Sequence, residues 1–150
     1  MFHSPFSYTY IIYENNLKIT SSKNMTLSIS GLKSLCVYGS DIPFNFLDKF
    51  YLKWKEDSLV IEKWFELMSI LNVEGQGLNF INDLLSHEAF EYKNPNKIRS
   101  VLGTFQRENV LLFHANNSSG YNFISNQVRL IDKNNPLPVF IDDNEDFLSA

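Results

Sequence analysis

Asn94-Pro95-Asn96-Lys97-Ile98-Arg99-Ser100-Val101-Leu102-Gly103-Thr104-Phe105, followed by Phe113-His114-Ala115 and Ser119-Gly120-Tyr121, decides how this chain is read. Asn94 is suited to cap a helix, because its side-chain carbonyl accepts from an orphan N–H of the first turn. Pro95, at the first helical position, brings a pre-set φ and no surplus donor. Ile98, Val101, Leu102 and Phe105 then fall at i, i+3, i+4 and i+7, the spacing of one apolar helix face, with Lys97, Arg99 and Ser100 off that face. The spacing predicts a helix from Asn94 with one packed side and one wet, basic side.

The same period recurs outward from this stretch. Met25, Ile29, Leu32 and Cys36 form a helical stripe that Asn24 or Thr26 can cap, weakened in propensity by Gly31 and ended by Gly39-Ser40. Pro43 opens a helix whose Phe46, Leu47, Phe50, Tyr51 and Trp54 make a broad apolar face opposite Asp48, Lys49, Lys53 and Lys55. Ser58 is expected to cap a third helix, running to about Leu71, with Leu59, Val60, Phe65 and Met68 apolar. Its Glu62 and Glu66 repel at i,i+4 while Lys63 and Glu66 attract, so packing must hold it. A shorter helix from Gly77 to Ser86 buries Leu78, Ile81 and Leu85, and a last one from Ser119 aligns Tyr121, Ile124, Val128 and Ile131. Short helices with brief loops imply an all-α fold of antiparallel pairs stacked as an α-solenoid, ARM/HEAT-like, preceded by an N-terminal segment in which Tyr8, Tyr10 and Ile12 carry a faint strand pattern.

Composition excludes several functions. The chain has 150 residues, one domain by length, with a formal net charge of −4 and no basic cluster, so nucleic acid is not an expected partner. No run approaches the ~18 apolar residues of a membrane span, and no export signal begins the chain, which suggests a cytoplasmic protein without membrane contact. The single cysteine, Cys36, excludes an internal disulfide and reads as a small buried hydrophobe.

The ordered motifs resemble the C-terminal helical domain of the alanyl aminopeptidase N type of zinc metallopeptidase. The likeness rests on Asn94-Pro95-Asn96 with Arg99-Ser100, Gly103 and Phe105, on Phe113-His114-Ala115 and Ser119-Gly120-Tyr121. It extends through Phe50-Tyr51, Trp54, Leu59-Val60 and Lys63-Trp64-Phe65, back to Asn24-Met25-Thr26 and forward to Asn135-Pro136. It implies three parts: an unmatched segment 1–23, an incomplete aminopeptidase-type helical domain 24–136, and an unmatched acidic tail 137–150 carrying Asp142, Asp143, Glu145 and Asp146. It further implies a fragment of a peptidase that releases N-terminal amino acids, whose zinc lies in a catalytic domain that would be this chain's partner and whose peptide substrates pass beneath this helical lid.

The catalytic apparatus itself is not expected here. Zinc peptidases of this kind need H-E-x-x-H on a helix, two imidazoles facing one metal with a glutamate activating the bound water. His87-Glu88 begins that pattern, but Glu91 stands where the second histidine belongs, and His3 and His114 have no partner at ligand spacing. His87 reads as a helix-end surface residue, His114 as a hydrogen-bonded core residue, Ser118 and Ser119 as caps, and Gly75-x-Gly77 as a loose connection lacking the third glycine of a phosphate loop. Catalytic and metal-binding residues are therefore none, and no cofactor is expected in this chain. Arg99 is the one residue to which the resemblance gives a role: its counterpart faces the cavity above the active site, where a guanidinium pairs with a substrate carboxylate. The family's second cavity arginine falls at Ile141. The alternative is a stand-alone α-solenoid that binds a protein or peptide without enzymatic activity.

Overall fold

In the computed structural model, residues 24–38 and 43–135 are described, and among them every regular element is helical. The elements are α1 (Met25–Tyr38), α2 (Pro43–Trp54), α3 (Ser58–Ile70), α4 (Leu78–Leu85), α5 (Pro95–Ile98), a π-helical turn (Arg99–Gly103), α6 (Thr104–Glu108), α7 (Val110–Phe113) and α8 (Ser119–Asn134). The strand pattern near Tyr8, the break at Gly39-Ser40, the acidic tail and Ile141 lie outside the described residues.

Helix α3 is the hub. It packs against α1, α2, α4, the π turn and α6, and buries Val60, Ile61, Trp64, Phe65, Leu67, Met68 and Ser69, more of its circumference than one amphipathic stripe supplies. A helix surrounded in this way is apolar nearly all round. Phe65 is fully buried, and the Trp64 indole N–H donates to the Leu47 carbonyl across 3.1 Å, tying α3 to α2. Leu32 from α1, Leu47 and Phe50 from α2, Ile81 and Leu84 from α4, and Val101, Leu102 and Phe105 complete the core.

Two local expectations change. Asp57, not Ser58, caps α3: its carboxylate accepts from the N–H groups of Leu59 and Val60 at 3.1 and 3.3 Å. A carboxylate at that end also meets the positive pole of the helix dipole. Leu59, read as core, is 70% exposed because the cap sets the first turn so that Val60 points inward in its place. The connection after α3 turns at Gly75 and Gly77, which adopt φ of +75° and +51°, left-handed values that side chains with a Cβ resist.

At the far end, Ser118 starts α8 with a left-handed φ of 58° and no capping bond of its own; Asn117 accepts from the Ser119 N–H instead, at 3.1 Å. Helix α8 then buries only Gly120 and Gln127, with Phe123, Ile124 and Ile131 half-buried. Tyr121 and Val128, expected on the packed face, are exposed, because the true contact line runs through Gly120 and Gln127 and leaves them on its flank.

Candidate functional site

The site grows from Asn94. Its side-chain oxygen accepts from the Asn96 N–H at 2.9 Å and the Lys97 N–H at 3.3 Å, and Pro95 occupies the first helical position, so the cap stands as the spacing predicts. One turn later the backbone departs from the α-helix. The Thr104 N–H reaches the Arg99 carbonyl, an i→i+5 bond that makes Arg99–Gly103 a π turn.

That widened turn alters which residues face the core. More residues per turn mean less rotation per residue, so Ser100, Val101 and Leu102 are buried in succession, followed by Thr104 and Phe105. Of the expected apolar stripe, Val101, Leu102 and Phe105 are buried and Ile98 packs half-buried against them; Ser100, expected off it, is buried, and the π register is the reason. Each buried side-chain polar atom among the described residues has a hydrogen-bond partner, as close packing of small hydroxyls against α3 requires.

Arg99 begins the π turn on its solvent side. Its aliphatic stem lies over Gly103, where an added Cβ would sit 3.4 Å from the Arg99 Cγ. The guanidinium bonds the Asn96 side-chain oxygen at 3.3 Å. Among the described residues the ion pairs are Lys33–Glu108, Lys63–Glu66 and Arg107–Glu108, so Arg99 is held in direction by a neutral partner without being neutralised by an acid. A preorganised guanidinium of this kind retains its capacity for bidentate carboxylate binding.

The second motif proves to be a clasp. Gly120 sits directly on Phe113: a Cβ there would lie 2.2 Å from the Phe113 carbonyl oxygen and 2.7 Å from its Cα, distances that allow only glycine. The Phe113 ring packs at 4.7 Å on Tyr121 and at 5.6 Å edge-on to Phe105, and Phe105 meets Phe123 at 6.0 Å. Nδ1 of His114 shares a hydrogen bond with the Tyr121 hydroxyl. His114 is exposed, not a core residue as its apolar neighbours suggested, because α7 ends at Phe113 and turns it outward. The pair is explained by joining α7 to α8.

Histidine 87 is more enclosed than a surface residue. Its ring packs against Tyr51, Trp64 and Phe65 at 5.0 to 5.8 Å, and its Nδ1 accepts the Ala89 N–H at 3.1 Å. Burial pushes its pKa down, opposed by the neighbouring Glu88 carboxylate. Nδ1 is thus committed to the chain. Tyr51 donates to Glu88 at 3.1 Å, and burial, then Glu88, raises its pKa. Cys36 is buried with its thiol pushed up to about 12, an inert side chain as read from the sequence.

The described residues contain no group of three or more His, Cys, Asp or Glu side chains placed to hold a metal ion. Zinc does not fit the donors present among the described residues. Gly75-x-Gly77 follows a helix, not a strand, and so lacks the setting of a phosphate loop.

Several structural residues escaped the sequence reading. Asn109, buried in what read as a loop, donates to the Leu71 carbonyl at 3.0 Å and the Ser69 carbonyl at 3.4 Å, closing the open C-terminus of α3. Tyr92 donates to Gln127 at 3.0 Å while its carbonyl accepts from Asn135 at 2.7 Å, fixing α8 to the segment before Asn94. Gln127, three residues after Ile124 and four before Ile131 on one helix face, was the available signal for the second pair; Asn109 carried none.

Comparison with known proteins agrees with the motifs. Residues 13–138 match the family described as a domain of unknown function, DUF3458_C, ARM repeats. The chain is 31% identical over 134 residues to aminopeptidase N of Haemophilus influenzae, covering 85% of this chain and 15% of that protein. It is 30% identical over 115 residues to aminopeptidase N of Escherichia coli, covering 77% and 13%. The crystal structure of Legionella pneumophila aminopeptidase A in complex with aspartic acid superposes with a TM-score of 0.66 at 25% identity, over 85% of this chain and 14% of that one. The chain thus spans about a seventh of the length of these relatives.

Proposed function

Because this chain belongs to the ARM-repeat family DUF3458_C, we propose that it acts as the C-terminal helical domain of an aminopeptidase N, extending over residues 24–136. In that role it closes over a catalytic domain, its proposed partner, and limits access to small peptides whose N-terminal residues are released there. Zinc and the activated water belong to that partner. A cytoplasmic setting completes the proposal; among the described residues no helix is long and apolar enough to cross a membrane.

One observation carries the site assignment: Arg99 is exposed, aimed by Asn96, and free of any acidic ion-pair partner among the described residues, while the opposite side of the same turn is anchored in the core. A structural arginine would be expected to spend its guanidinium on a neighbouring carboxylate. This one is oriented toward solvent, as a receptor for a peptide carboxylate beyond the scissile bond would be.

The test is a chimera in which residues 24–135 replace the matching part of the Haemophilus influenzae enzyme. Arg99→Ala in that chimera should raise KM for a tripeptide with a free C-terminus by about tenfold, the value of one charge-assisted contact. Turnover of an uncharged alanyl anilide should be unchanged. Equal effects on both substrates would assign Arg99 to structure. The exposed Val110 and Leu111 of α7, at 51% and 83%, favour a second reading as a stand-alone docking module; a chimera with no peptidase activity, beside an isolated chain that is a soluble monomer, would support that reading.

A further inference from the structure

The cleft between α1 and α2 combines features that neither the core nor the Arg99 turn explains. It is a half-open cleft of about 250 Å³ lined by Ser28 and Leu32 from α1 and by Phe46, Lys49, Phe50, Lys53 and Trp54 from α2. The α2 residues follow i, i+3, i+4, i+7 and i+8, a single helix face on which aromatic and cationic side chains alternate. The sequence placed Lys49 and Lys53 opposite the aromatic residues; the structure brings both to the rim of the aromatic wall. Lys49 Nζ stands 5.9 Å from the Phe46 ring centre and Lys53 Nζ 5.0 Å from that of Trp54. These cation–π contacts direct two ammonium groups over one cavity.

We propose that this cleft binds an aromatic carboxylate, with the ring against Phe46 and Trp54 and the acid between Lys49 and Lys53. Three observations support the assignment. Phe46 and Trp54 present half-buried rings to the cleft, and such rings favour an aromatic ligand over a sugar or phosphate. Two positive charges lie one helical turn apart with no ion pair from either among the described residues, in a chain whose net charge is −4. Charge complementarity therefore selects an anion. The cavity is smaller than the roughly 300–1,000 Å³ of drug-sized sites, which limits the ligand to one ring with a short acidic arm. A free aromatic acid and the C-terminal residue of a peptide share that chemistry.

Titration of the full chain with phenylpropionate, followed by NMR of the Trp54 indole, tests the proposal. Saturable shifts are expected, confined to the α1–α2 cleft. Lys49→Ala with Lys53→Ala should weaken binding about tenfold while leaving the dispersion of the spectrum intact, since exposed charge pairs contribute modestly. Neutral phenylpropionamide should bind correspondingly less. Saturation by glycyl-phenylalanine as well would extend the site to peptide C-termini, and saturation by phenylpropionate alone would assign it to free acids. No saturation by either at about 10 mM, or equal affinity for the acid and its amide, overturns it.

Discussion

Helical spacing marks a packed face on both α3 and α8, yet one is enclosed on nearly every side and the other touches the protein along a single line. α3 lies between α1, α2, α4, the π turn and α6, whereas α8 meets its neighbours through Gly120, Gln127 and the half-buried Phe123, Ile124 and Ile131. Periodicity reports which side of a helix packs. It does not report how many partners arrive there. In a stacked helical array an inner helix is covered by neighbours on both sides, and that coverage is supplied by other parts of the chain.

Substitutions can break this contrast in graded steps. Phe65→Ala in α3 should cost about 3–5 kcal/mol, because a fully buried ring leaves a cavity that surrounding helices cannot fill; chemical denaturation would measure it. A loss below about 1 kcal/mol would mean that α3 is not the hub. Gly120→Ala strikes the sparse contact of α8 at its tightest point and should cost about 3 kcal/mol, since the methyl meets Phe113 backbone, which cannot rotate away. Amide exchange should show that loss concentrated in α8 and the end of α7.

Asn109→Ala should cost about 1–3 kcal/mol by leaving the Ser69 and Leu71 carbonyls unpaired, although no apolar contact of note is removed. Asn109→Asp should not rescue it, as a carboxylate has no hydrogen to donate. Val128→Ser on the exposed flank of α8 should stay within about 0.5 kcal/mol.

The cluster around His87 sharpens the contrast through pH. Its folded pKa is lowered by burial, so the unfolded chain takes up the proton first as pH falls through the ordinary imidazole value of about 6.5. His87 therefore adds no pH dependence above that value and destabilises the fold progressively below it. His87→Gln should flatten the stability profile below about pH 6.5 relative to the parent, as denaturation at several pH values would show. A steeper profile in the variant would contradict the burial of the ring.

Much of this was legible beforehand. Asn94 and Pro95 start a helix wherever the chain carries them, because a cap needs only its own turn. Val101, Leu102 and Phe105 pack as their spacing dictates. Arg99 could be named in advance only through a resemblance, and its freedom from ion pairing could not be named at all. Its geometry depends on Asn96 and on the π turn, and the second of these has no sequence signature. The Lys49 and Lys53 rim was misplaced for a related reason: long side chains lean over adjacent rings, and a helical projection ignores that reach.

By itself the sequence determined the local starts, the helical period and the apolar faces, since these depend on neighbours within a turn or two. Tertiary structure alone decided which helix became central, why Gly120 admits no other residue, how Asn109 completes a helix forty residues upstream, and where unpaired charge remained. Those outcomes arise from contacts between segments distant in the chain, and such contacts exist only after the helices have stacked.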